Sequence, residues 1–84
     1  MKLRFTVTWH PFVLDESTEI WLRSADRMAV TQAVHTIDRE LADDPQRKGE
    51  EFYADRIFVA EPLAVTYAIN EQDRIVQILQ VWHR

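Results

Sequence analysis

The sequence predicts an α+β domain of order βααβββ over residues 1–84, with two helices packed on one face of a mostly antiparallel four-stranded sheet. Three observations carry this. Residues 1 to 9 alternate at period two, residues 27 to 41 repeat apolar side chains at helical spacing, and nearly everything beyond the single glycine reads as β. Eighty-four residues suffice for one core and leave no room for a second.

The elements follow in order. In MKLRFTVTW, Leu3, Phe5, Val7 and Trp9 point one way and Lys2, Arg4, Thr6 and Thr8 the other, the pattern of a half-buried strand. His10-Pro11 ends it, because proline donates no ladder bond but suits the first turn of a helix. A helix is expected over 12–23, with Asp15 and Glu16 near its positive end and Val13 and Ile20 turned inward. Ser24-Ala25-Asp26 reads as a break and an N-cap. Val30, Ala33, Val34, Ile37 and Leu41 then form the apolar stripe of a second helix, which Asp43-Asp44-Pro45 closes. Residues 46–51 form a polar loop around Gly49. Residues 51–60 read as one strand, and Leu63, Val65, Tyr67 and Ile69 mark the inner face of the next. Asn70-Glu71-Gln72-Asp73 connects a hairpin. RIVQILQVWHR is apolar on nearly both sides, which places it inside the sheet.

Bulk composition narrows the function classes. A hydrophobic fraction of 46% with one Gly and three Pro belongs to a globular chain, not a disordered one. The absence of cysteine removes disulfides, thiolate nucleophiles and thiolate metal sites, and fits a cytoplasmic setting. No run of about 18 apolar residues offers a membrane span, and residues 1 to 9 lack the apolar core of a secretory leader. The net charge of −4 opposes a polyanion as main partner, since phosphate binding draws on excess cations. His10, His35 and His83 lack metal-ligand spacing, so neither metal nor cofactor is expected, and no small-molecule substrate is evident.

The aromatic residues divide. Trp9 shares its face with Phe5 and Val7, which makes it core. Trp21 and Trp82 lie at element ends, where an indole commonly anchors a protein partner. Tyr67 alternates with Val65 and Ile69 and so belongs with the core, while remaining a third partner-contact candidate. Arg56, beside Asp55, Glu50 and Glu51, has a surface ion pair as its simplest reading.

Several stretches in order resemble the RelE/ParE superfamily, the toxin halves of bacterial type II toxin–antitoxin pairs. FTVTWHP looks like the first strand running into a helix, and IDRELADDPQRKGE like the end of the second helix and its loop. RIFVAEPLAVTYAINEQDRIVQILQVWHR looks like the last three strands, with the middle-strand tyrosine and a ParE-type ending. The resemblance spans the chain and implies a cognate antitoxin whose C-terminal segment covers the toxin as a strand or amphipathic helix. In the RelE and YoeB branch it implies a ribosome-dependent messenger RNA endoribonuclease, for which His83, Arg84 and Arg56 are the matching candidates. Ala64 stands where that branch carries an arginine. The expectation is therefore a ParE-like inhibitor acting by protein contact, with DNA gyrase as the implied target. The ribonuclease is the alternative, and a non-toxic binding module of the same fold is the third reading.

Overall fold

The computed structural model describes residues 4–84; the part of the first strand before Arg4, with Lys2 and Leu3, lies outside the described residues. Strand β1 (Thr6–Trp9) leads into α1 (Pro11–Arg23) and α2 (Arg27–Leu41). A single 3-10 turn at Pro45–Arg47 precedes β2 (Glu50–Phe52), β3 (Asp55–Ala60), β4 (Leu63–Asn70) and β5 (Ile75–His83). The five strands form one sheet in the order β1-β5-β4-β3-β2.

The α+β class and the helix pair stand as expected, and the sheet differs in two respects. It has five strands rather than four, because the stretch read as one strand over 51–60 folds back on itself at Tyr53-Ala54. Tyr53 turns the chain with φ 56, a left-handed conformation that no Gly or Asn announces. The sheet is also mixed. β1 runs parallel to β5, Thr6 opposite Ile75 through Trp9 opposite Ile78, while the other three pairings are antiparallel.

Local chemistry explains the helices. Pro11 occupies the first turn of α1, and the His10 ring caps it, Nδ1 accepting from the Phe12 N–H at 3.3 Å while the ring stacks on Phe12. Asp15 and Glu16 fall beyond the first turn, which carries no acid. Asp26 caps α2 by accepting from the Ala29 N–H at 3.1 Å. The expected stripe Val30, Ala33, Ile37 and Leu41 is buried, with Val34 packed at its margin. α1 lies along β5, and α2 lies over β3 and β4.

Cross-strand register sorts the two faces of the sheet, since paired residues share a face. The helix side holds Val7, Trp9, Val76, Ile78, Val81, Leu63, Val65, Tyr67, Ile69 and Phe58, the core with Val13 and the α2 stripe. Trp9 also donates Nε1–H to Asp38 Oδ1 at 2.7 Å, tying β1 to α2. The open side holds Thr6, Thr8, Ile57, Val59, Ala64, Thr66, Ala68, Gln77, Gln80 and Trp82. A register shift between Thr66 and Tyr67 leaves Leu79 as the extra residue on β5 and keeps both halves of that strand in phase with the core.

Candidate functional site

The candidate polar residues gather at opposite ends of the sheet. At one end, Tyr67 is fully buried and its hydroxyl sits 2.9 Å from the Pro45 carbonyl oxygen and 2.5 Å from that of Lys48. Arg56, directly opposite Tyr67 on β3, donates from Nε and Nη2 to the Lys48 carbonyl at 3.2 and 3.1 Å and from Nη2 to the Gly49 carbonyl at 3.1 Å. Lys48 in turn reaches Glu40 Oε2 at 3.1 Å. Burial raises the Tyr67 phenol above its ordinary value, and the hydrogen bond and charge of Arg56, then the charge of Lys48, pull it partly back. A phenol held neutral in this way is no base near neutral pH. The cluster pins the 45–49 loop onto β3 and β4, and the expected surface ion pair of Arg56 is replaced by this backbone clamp. Tyr67, expected from the sequence as a partner contact, has no exposed surface to give one.

The other end is open. His83 pairs with Leu63 at the end of β5 and faces the helix side. There it lines a cleft of about 520 Å3 with Glu16, Ile20, Arg23, Ser24, Ala25, Asp26, Ala29 and Pro62. Arg23 is drawn to Glu19 at 3.4 Å, and Asp26 is occupied as the α2 cap, so Glu16 and His83 are the polar side chains with least commitment there. Arg84 turns away, its N–H donating to the Pro62 carbonyl at 2.8 Å and its guanidinium to Glu61 at 2.7 Å.

These positions separate the three residues expected to act together. Arg56 lies opposite Tyr67 and His83 opposite Leu63, four residues further along β4 and one strand beyond it. At about 3.3 Å per residue and about 4.8 Å per strand, their backbones stand roughly 16 Å apart. Arg56 and His83 do not share a phosphate. The two candidate indoles are also on different surfaces. Trp82 is 36% exposed on the open face beside Ala64 and Val59. Trp21 lies on the outer face of the helix pair, donating to Thr31 Oγ1 at 3.1 Å under the Arg27 guanidinium.

Sequence reasoning missed Glu16 and Phe12. Glu16, Ile20 and Arg23 recur at helical spacing, but nothing local says that β5 lies beneath them. Among the described residues no group of three or more His, Asp or Glu side chains is placed to hold a metal, and no helix is long and apolar enough to cross a membrane.

No protein-family model matches the sequence, and no curated protein matches it either. Solved structures do. A chain of the toxin–antitoxin complex RelBE2 from Mycobacterium tuberculosis superposes with a TM-score of 0.81 at 17% identity, over 98% of this chain and 93% of that one. A chain of the archaeal RelE–RelB complex from Pyrococcus horikoshii does so with a TM-score of 0.67 at 16% identity, over 96% of each. Both neighbours are RelE toxins, so the ParE-like branch expected from the ending gains no support from them, and neither does a gyrase target. At such identities the likeness is one of architecture: the described residues share the fold of these RelE toxins.

Proposed function

We propose that this chain is the toxin half of a bacterial toxin–antitoxin pair of the RelE type, silenced by a cognate antitoxin and acting on messenger RNA at the ribosome. The carrying observation is the near-complete mutual coverage with RelE toxins, 98% of this chain and 93% of the Mycobacterium tuberculosis one. Cleavage of RNA needs a base for the ribose hydroxyl, an acid for the leaving oxygen and charge to meet the phosphate. His83, exposed at the mouth of an open cleft, is the residue here suited to proton transfer.

A second reading has its own observation. The open sides of β3, β4 and β5 carry Asp55, Ile57, Val59, Ala64, Thr66, Ala68, Gln77, Gln80 and Trp82, with no cation among them. A face of mostly apolar and amide groups, with a carboxylate and no cation, suits protein contact better than phosphate, which favours a binding module on the toxin fold.

Expression of the isolated chain in a bacterium, with growth, messenger RNA 5′ ends and plasmid supercoiling all followed, separates these. Growth arrest with cuts in register with ribosomes, both abolished by His83→Ala, is the expected result. Growth without arrest leaves the binding module, and arrest with altered supercoiling and intact message would return the gyrase reading.

A further inference from the structure

The cleft under His83 exists because short side chains meet where the helix pair, the β3–β4 turn and the end of β5 converge. The link between the helices and the first turn of α2 present Ser24, Ala25 and Ala29 there, none long enough to fill the angle. Ile20, Ala29 and Pro62 are half-buried and form an apolar floor, while Glu16 and His83 stand exposed at the rim. A volume of about 520 Å3 falls within the range of pockets that hold small organic molecules, roughly 300–1,000 Å3.

The polar groups around that floor are unevenly committed. Ser24 Oγ accepts from the Asp26 N–H at 3.1 Å, and Asp26 Oδ1 accepts from the Ala29 N–H at 3.1 Å, so both serve the turn. Arg23 is held by Glu19 at 3.4 Å, and Arg84, beyond the Pro62 turn, by Glu61 at 2.7 Å. Glu16 has neither a cation nor a hydrogen-bond donor on it among the described residues. With each guanidinium offset by a glutamate, the carboxylates of Glu16 and Asp26 remain to set the sign of the cleft. An anion is opposed there, and a plain hydrocarbon would strip water from Glu16 without replacing it. A cation with an apolar body satisfies floor and rim together.

We infer that this cleft is a binding site for a small organic amine, its ammonium set against Glu16 and its apolar body over Ile20, Ala29 and Pro62 beside the His83 ring. The site rests on the cleft alone. Its consequence rests on the toxin reading: an occupied cleft covers His83 and so restrains the action of the chain on messenger RNA.

The test titrates the full chain with phenethylamine and with two probes of like shape, neutral phenethyl alcohol and anionic phenylpropanoate, while backbone amide resonances are followed residue by residue. The amine is expected to bind with a dissociation constant on the order of 1 mM and to shift the Ile20, Ala29 and His83 amides. It should bind about fivefold tighter than the alcohol, with the anion weakest. Glu16→Gln should abolish that preference while the melting temperature holds, and Ala29→Leu, which fills the cleft, should abolish binding of amine and alcohol alike. Equal binding of amine and alcohol, or a preference that survives Glu16→Gln, would overturn the proposal. So would shifts confined to Phe12 and Trp82, in the neighbouring groove of about 390 Å3 that Glu16 also borders. Cleavage of message by the isolated chain on ribosomes should fall as the amine saturates the cleft; unchanged cleavage at saturation would overturn the consequence and keep the site. A chain that binds the amine but never arrests growth leaves the cleft standing and removes the toxin reading; arrest without amine binding does the reverse.

Discussion

The two ends of the sheet use similar side chains to opposite purposes. Around Tyr67, the phenol and the guanidinium are aimed at the protein's own backbone: the phenol at Pro45 and Lys48, the Arg56 guanidinium at Lys48 and Gly49. Around His83 the polar groups border a cleft wide enough for part of another molecule. The difference teaches that an Arg–Lys–Tyr grouping in a chain of this type is no sign of a reactive site until the direction of each side chain is known. Buried polar groups contribute stability when all are satisfied, and leaving one unpaired costs more than the bond contributes.

If that contrast holds, substitutions at the closed end act on stability and those at the open end do not. The largest effect belongs to Gly49→Ala. Gly49 has φ 63, and an added Cβ would lie 2.1 Å from the Ile57 carbonyl oxygen, so strand β3 itself would have to shift. A loss of about 3 kcal/mol or more is expected, read as a fall of at least roughly 12 °C in melting temperature. Tyr67→Phe comes next. It strips the hydroxyl from two buried carbonyls and a guanidinium, for a loss of about 2 kcal/mol by chemical denaturation. A melting temperature that did not move would show the clamp to be ornamental and erase the contrast.

The same phenol gives the clamp a pH signature. Its folded value is raised above 10.0, chiefly by burial, so the folded protein holds this proton more tightly than the unfolded chain. The contribution is whole below pH 10 and is lost as pH climbs through the raised value. Alkaline titration of stability should therefore fall more steeply in the parent than in Tyr67→Phe; parallel curves would mean that the phenol is not so buried. The smallest effects belong to the open end. Glu61→Gln breaks an exposed pair with Arg84 and should cost under about 1 kcal/mol. His83→Ala should leave the denaturation midpoint unchanged within about 0.5 kcal/mol, whatever it does to growth arrest. A large destabilisation there would mean that His83 is a structural residue after all.

What could be read from the sequence was what periodicity and capping encode. The alternation over Thr6–Trp9, the stripe from Val30 to Leu41, the Asp26 cap and the turn after Asn70 depend on neighbours a few residues away, and they stand in the structure. The fold-back at Tyr53 was hidden because its turn carries none of the usual residues. Arg56 was read against the adjacent acids, but across β3 and β4 its neighbour is Tyr67, and the carbonyls it binds belong to the preceding loop. The cleft under His83 was invisible for a related reason. Glu16 and His83 meet only because α1 lies along β5, a contact between the two ends of the chain.

The partnership of β1 with β5 sets a clock on synthesis. Thr6 and Ile75 are 69 positions apart, so the earliest strand emerges from the ribosome roughly 3 to 14 s before its neighbour at ordinary elongation rates. Through that interval the α1 segment lacks the strand it lies along, and the Trp9 indole lacks its β5 neighbour Ile78. Completion is a single late event, gated by the last nine-residue strand to be made.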